Sequence, residues 1–418
     1  MINKDLIIIG GGAAGLAAAL SSQDQNISIL VIEREKSLGG ILNQCIHNGF
    51  GLHLFHEELT GPEYANRFIQ SFNEKKIEFL LGTTVIDIQK KDIFELTITS
   101  EEHGYNHVFA KAVIIASGCY ERTRGAIQIP GDRPKGIMPA GSAQRYLNMD
   151  GYLVGKRIFI LGSGDIGLIM ARRMTLEGAT VLGVAEIMPY SNGLTRNVVQ
   201  CLDDFQIPLY LSHTITDIKG KDTLERVTIQ AVDTHFQPIS GTEKHFDVDT
   251  LLLSIGLIPD VTLFDSLEMK KSPVTKSAIV DQTLMTNIDG LFVCGNALHV
   301  HDLVDWVSKE GEKAGRFAKE YLLESKKKEK DIKDVIVGEN IRYVVPHQVD
   351  FSKIKEPIVF FFRSTKKMTT GLFKVIQNGK VIDSKKAKYI APAEMENITI
   401  QPEEFISNDS ITITLEEI

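Results

Sequence analysis

Leu6-Ile-Ile-Ile-Gly10-Gly-Gly12-Ala-Ala-Gly15-Leu-Ala-Ala-Ala-Leu20 is the stretch on which the reading of this chain turns. Four consecutive apolar residues read as a parallel strand buried on both faces. Glycines at 10, 12 and 15 follow, and then an alanine-rich run that reads as a helix. A second apolar run, Ile27 to Ile32, ends at Glu33, 18 residues after Gly15. This is a βαβ unit with a dinucleotide fingerprint. The first glycine permits the tight turn, the second lets backbone approach a pyrophosphate, and the third lets helix pack on strand. The helix N-terminus presents free N–H groups to phosphate, and an acid at the end of the second strand is placed for ribose hydroxyls. Gly10, Gly12, Ala14, Gly15 and Glu33 are therefore expected to bind a dinucleotide.

The same layout recurs 152 residues on. Arg157-Ile-Phe-Ile-Leu161 leads into Gly162-Ser-Gly164-Asp-Ile-Gly167, then a helix, then a strand that ends at Glu186, 19 residues after Gly167. Two such units in one chain point to two Rossmann-like dinucleotide-binding domains, because the spacing is far too long for a solenoid repeat. An acid at Glu186 favours NAD, since an arginine would be expected to meet the 2′-phosphate of NADP. Arg172 and Arg173 fall inside the helix, away from the strand end.

The chain has 418 residues, 43% hydrophobic and 24% charged, with a net charge of −8. This balance excludes a disordered or fibrous chain and argues against a nucleic-acid binder. Four cysteines do not make a disulfide scaffold. No apolar run approaches the roughly 18 residues of a membrane span. The opening Met1-Ile-Asn-Lys-Asp5 enters a strand pattern at once and lacks signal-peptide character, so a cytoplasmic location is expected. Between the two units, residues 85–88, 94–99 and 107–109 read as short antiparallel strands. Ala112-Val-Ile-Ile-Ala116 then runs into Ser117-Gly118. Thr250-Leu-Leu-Leu-Ser-Ile-Gly256 repeats that pattern, and Leu291-Phe-Val-Cys-Gly-Asn296 is a strand with a tight turn. Residues 302–323 read as a helix. Residues 325–330 are a charged linker. Beyond it, five short apolar runs and the hairpin signal Asn378-Gly379 predict a small all-β domain, a sandwich.

Two fingerprints in this order resemble the two-dinucleotide-binding flavoprotein oxidoreductases, with the fold of glutathione and thioredoxin reductases. The resemblance implies FAD at the first unit and NAD(H) at the second. It implies domains at 1–118 plus 270–325 for FAD and 119–269 for NAD, with the all-β domain at 331–418. It adds Arg34, Gly40, Ile41, Ser117, Gly118 and Gly256 to the cofactor-binding set. Gly295 and Asn296 match the family's second FAD motif, in which the last position is usually aspartate. The loops at 39–52, 116–125, 189–197 and 302–312 are similar to a flavoprotein encoded beside bacterial anaerobic glycerol-3-phosphate dehydrogenases, and to flavoprotein subunits of amine, opine and proline dehydrogenases. That branch implies a dehydrogenase subunit or small redox carrier as partner, and homo-oligomers are compatible with it.

Disulfide reductases carry a redox-active cysteine pair, and this chain has no Cys-x-x-Cys. Cys45 stands alone after Gly39-Gly40. It is either a buried small apolar residue or, as the resemblance allows, a flavin-adjacent thiol. His47 is either a structural histidine or a proton shuttle. Cys119, Cys201 and Cys294 are read as packing residues, and Trp306 as core. His47, His53 and His56 form one histidine group and His299 and His301 another. Neither shows a carboxylate or cysteine framework, so no metal site is expected. The expectation is thus an FAD-dependent NADH oxidoreductase that passes electrons to a partner, linked to glycerol-3-phosphate oxidation. A stand-alone NADH oxidase or peroxidase using Cys45, and a subunit of an amine or opine dehydrogenase, stay open.

Overall fold

The computed structural model describes residues 2–324 and 329–418. Residues 325–328 of the charged linker lie outside the described residues. The chain divides into two units, Met1–Cys119 with Pro259–Ile418, and Tyr120–Ile258.

In the first unit, β1 (Ile2–Ile9), α1 (Ala13–Ser21) and β2 (Ile29–Ile32) form the βαβ element. β1 pairs in parallel with β2 on one side and with β3 (Gly104–Ile115) on the other. All four residues of β2 are buried, as a strand covered on both faces requires. β3 is longer than its sequence suggests. The runs at 107–109 and 112–116 are one continuous strand. Its first half pairs antiparallel with Phe94–Ser100, which pairs in turn with Thr83–Lys90. Its second half belongs to the parallel sheet. One strand therefore joins an antiparallel hairpin to the parallel sheet, and Phe94, Leu96 and Ile98 of the hairpin are buried in the same core.

The second unit repeats the plan. β4 (Arg157–Leu161), α2 (Asp165–Leu176) and β5 (Thr180–Glu186) lead to a five-stranded parallel sheet, in which β6 (Thr250–Leu253) lies beside β4. A three-stranded antiparallel sheet, His213–Lys219, Arg226–Ala231 and Lys244–Asp247, completes it.

The chain then returns to the first unit. β7 (Leu291–Val293) adds to β3 in parallel, and α3 (Val304–Leu323) packs across α1. The crossing is close because it uses small residues. A methyl group at Gly311 would lie 2.7 Å from Ala14 Cα, and one at Gly315 would lie 2.8 Å from Ala18 carbonyl carbon. Either clash would push the helices apart.

Residues 332–417 fold as strands with two short 3-10 turns. Five strands form one sheet and three another, around a core that includes Phe360, Phe362, Phe373, Ile413 and Leu415. Phe362 and Phe373 meet at 4.8 Å across it. Asn378 and Gly379 take left-handed conformations, φ 50° and 73°, as a two-residue hairpin requires. Tyr343 and Val345 also join the core of the parallel sheet. Gln282 exchanges two 2.8 Å hydrogen bonds with the backbone of Asp350, so these strands are fastened to the rest of their unit.

Candidate functional site

At the first fingerprint the three glycines do three different things. Gly10 has φ +105°, and a Cβ there would meet the Ala116 carbonyl carbon at 2.8 Å. A Cβ on Gly15 would strike the Gly10 carbonyl, so only glycine lets α1 sit down on β1. Gly12 caps α1 without a side chain. A Cβ at Gly12 would meet nothing nearer than Gly40 Cα at 3.9 Å, so it would project into open space before the helix terminus. Gly39 N–H donates to Gly11 O at 2.8 Å and holds the 39–40 turn beside that opening. Ile41 points outward, 62% exposed.

Glu33 is buried at the end of β2. Its Oε2 accepts Gly11 N–H at 2.6 Å and its Oε1 accepts Glu35 N–H at 2.8 Å. The carboxylate thereby fixes the glycine turn and keeps lone pairs for a further donor. Arg34 is exposed and lies 4.0 Å from Asp260. Ser117 Oγ donates to Asp260 O at 2.6 Å, and Gly118 takes φ +77° with nothing near its missing Cβ. Gly295 packs on Ala14, where a methyl would lie 2.8 Å from the Ala14 Cβ. Asn296 Oδ1 accepts His301 N–H at 3.0 Å. The structure therefore brings Gly10, Gly12, Ala14, Gly15, Glu33, Gly40 and Gly295 around one helix terminus. An uncapped terminus, a glycine-lined opening and a buried carboxylate suit the pyrophosphate and ribose of FAD.

The second fingerprint has the same frame with different surroundings. Gly162 has φ +95°, and its Cβ would meet the Ser254 carbonyl carbon at 2.6 Å. Glu186 Oε2 accepts from both Ser163 N–H at 3.0 Å and Ser163 Oγ at 2.7 Å, and Oε1 accepts Met188 N–H at 3.0 Å. Ser254 Oγ accepts Gly167 N–H at 3.0 Å. The loop after β5 folds over the terminus of α2. Asn192 N–H donates to Ser163 Oγ, while Leu194 N–H and the Asn197 amide donate to Asp165 Oδ1 at 2.8 and 2.6 Å. A Cβ at Gly164 would meet only Ser254, its Oγ at 3.1 Å. Gly256, at φ +101°, accepts Arg122 N–H through its carbonyl. The carboxylate at the strand end suits the ribose diol of NAD(H).

All four cysteines are free thiols. Cys45 Sγ donates to Ile41 O at 3.3 Å, and burial pushes its thiol up to about 12. A thiol so held is protonated at neutral pH and is a poor nucleophile. Burial likewise pushes Cys201 up to about 11. His47 Nδ1 lies 3.1 Å from Asn48 O, and its ring packs 5.0 Å from Phe50. His53 N–H donates to Asp305 Oδ2. Trp306 is half-buried and meets Phe361 edge-on at 5.4 Å.

One expectation is corrected. The sequence shows no carboxylate framework beside His299 and His301, yet the fold supplies one. Glu310, on α3, lies 3.0 Å from His299 Nε2 and 3.2 Å from His301 Nε2. The signal was faint, because a turn and most of two helical turns separate the histidines from the acid. Sequence reading also missed Arg363, which binds Val300 O and Asp302 from a distant strand. It missed the middle residues of the fingerprints too: Gly11 and Ser163 donate to the strand-end acids.

Residues 4–314 match the pyridine nucleotide-disulphide oxidoreductase family, across both fingerprints. The chain belongs to that family. Its members are oxidoreductases that use FAD and NAD(P)H. Hydrogen cyanide synthase subunit HcnB of Pseudomonas protegens is 24% identical over 285 residues, 63% of this chain and 59% of that one. NADH dehydrogenase of Bacillus subtilis is 25% identical over 298 residues, 70% of this chain and 53% of that one. The chain thus spans little more than half the length of these two relatives. The crystal structure of T. acidophilum thioredoxin reductase superposes with a TM-score of 0.64 at 22% identity, over 77% of this chain and 99% of that one. That likeness is one of fold. Among the described residues no helix is long and apolar enough to cross a membrane.

Proposed function

We propose that this chain is an NADH-specific flavoprotein that passes electrons between NAD(H) and an external redox partner. FAD, when bound, supplies a centre that takes up a hydride and gives up electrons. The observation that carries the reading is the buried Glu186 carboxylate at the end of β5, locked by Ser163 and Met188 where the adenosine ribose docks in such folds. A fixed carboxylate accepts from a ribose diol and repels a 2′-phosphate. Gly10, Gly12, Gly15, Gly40 and Glu33 would hold FAD by phosphate and ribose, and Gly295 and Asn296 would bind its middle.

The acceptor lies outside this chain. The thiol of Cys45 is held protonated, and no second cysteine stands near it in sequence. This weighs against a disulfide relay and against a peroxidase built on Cys45. A partner dehydrogenase subunit is supported by the loop resemblance and by a relative that is itself named as a synthase subunit. Glycerol-3-phosphate, or an amine or opine, would be that partner's substrate. The strands of residues 331–418 would serve as its docking module, in the cytoplasm.

The test is steady-state turnover with ferricyanide as acceptor. NADH is expected to outperform NADPH in kcat/KM by at least about tenfold, and Glu186→Arg to reverse or abolish that preference. Equal use of both nucleotides by the wild type would sink the assignment.

A further inference from the structure

His299 and His301 lie on the turn between β7 and α3, and Glu310 faces them from α3. The three side chains are 1%, 0% and 5% exposed. One ligand atom from each can be chosen so that all three lie within 4.8 Å of one another. Each imidazole directs Nε2 at a different oxygen of the one carboxylate, at 3.0 and 3.2 Å. Both Nδ1 atoms are buried without a hydrogen-bond partner. Each ring therefore makes its side-chain hydrogen bond at Nε2, and both converge on the same acid. Among the described residues, Glu310 makes ion-pair contacts with these two imidazoles alone.

A buried carboxylate needs a compensating positive charge, and a divalent ion seated among the three side chains would supply it. An ion that displaced the Nε2 protons would meet one nitrogen lone pair from each imidazole and an oxygen of the carboxylate. Two ligand atoms bound at about 2.0–2.1 Å around a tetrahedral ion lie about 3.3–3.4 Å apart, and the nitrogen–oxygen separations of 3.0 and 3.2 Å would have to widen by only about 0.1–0.4 Å to admit one. We infer that His299, His301 and Glu310 bind one divalent first-row transition-metal ion, zinc(II) or iron(II). Two histidines and one carboxylate are a ligand set that both ions accept. Gly295 N–H donates to Glu310 Oε2 at 2.6 Å and orients the carboxylate from outside the ligand shell. The rings of Phe361 and Tyr343 lie 5.8 and 6.3 Å from that of His299 and cover it. The ion would tie the turn bearing Gly295 and Asn296 to α3.

Elemental analysis of the dialysed yellow protein, expressed with zinc and iron in the medium, tests this. About one zinc or iron per chain is expected. Chelator-treated protein given zinc alone, or ferrous iron alone without oxygen, tells which ion it prefers. X-ray absorption at that metal's edge should show two nitrogens and at least one oxygen at about 2.0–2.2 Å. Glu310→Gln and His301→Ala should each lower metal content at least tenfold, with circular dichroism as the control for folding. Where a variant does not fold, the wild-type absorption spectrum decides. Wild-type protein that holds no metal before or after incubation would overturn the inference. So would full metal content in both variants, or an absorption spectrum without nitrogen ligands.

Discussion

The two fingerprints are built alike and finished differently. Both place a positive-φ glycine after a buried strand, and both end a second strand in a buried acid that accepts from the middle of the glycine turn. At the first, Gly12 and Gly40 leave the terminus of α1 open, and Ala116 offers no side-chain hydrogen bond. At the second, Ser254 takes Gly167 N–H, and the loop after β5 holds Asp165 and Ser163. A shared frame thus gives one terminus bare backbone and the other a polar collar. The lesson is that the fingerprint fixes where a dinucleotide goes, and the neighbouring loop sets how open that place is. A bare terminus suits a resident cofactor, and a collared one suits a nucleotide that comes and goes.

The comparison breaks most visibly at the third glycines. Gly15→Ala should cost about 4 kcal/mol or more of stability and yield colourless protein, because its methyl would overlap the Gly10 carbonyl. Gly167→Ala would bring its Cβ to 2.6 Å from Ser254 Cβ. It should retain FAD yet lose NADH-driven flavin reduction, which separates the two units. Thermal unfolding and the flavin absorbance of both proteins check this.

Gly12→Ala should act on binding and not on folding. Its methyl meets only Gly40, so the FAD-free protein should keep its Tm while FAD affinity falls about ten- to a hundredfold by fluorescence titration. An unchanged affinity would mean that the opening is not where the pyrophosphate lies.

Ser254→Ala makes the second terminus more like the first. Losing the bond to Gly167 N–H should cost about 1 kcal/mol in denaturant unfolding. The smallest effect is expected at Cys45. Cys45→Ser should change flavin reduction by NADH less than about twofold, within the range of a neutral substitution. Iodoacetamide should label the native thiol far more slowly than the unfolded one at pH 8, because burial holds it up to about 12. Its ordinary value is 9.0, so the unfolded chain releases this proton first. The stability it lends is complete below about pH 9 and declines as pH rises toward 12.

Both βαβ units were legible because their signals are contiguous: an apolar strand, three glycines and an acid at fixed spacing. Single contacts across long separations were not. Nothing local shows that Ser254 would collar a helix 87 residues earlier, or that Arg363 would reach Asp302. The runs at 107–109 and 112–116 read as two strands because Lys111 interrupts the apolar pattern, yet they fall in one strand that pairs antiparallel with Phe94–Ser100 and parallel with β1. The C-terminal strands with dense apolar runs were readable. Ile332–Val337, Ile341–Val345 and Gln348–Asp350 were not, since lysine, aspartate, arginine and glutamine interrupt them. Glu310 escaped notice because a metal framework is usually read from close spacing, and here α3 carries the acid back to the histidines.

The most direct test is anaerobic stopped-flow of the FAD-loaded protein mixed with NADH and, separately, with NADPH, following the flavin band near about 450 nm. The account expects rapid bleaching by NADH and bleaching by NADPH at least about tenfold slower. No bleaching by NADH in protein that holds its FAD, or equal rates with the two nucleotides, would contradict it.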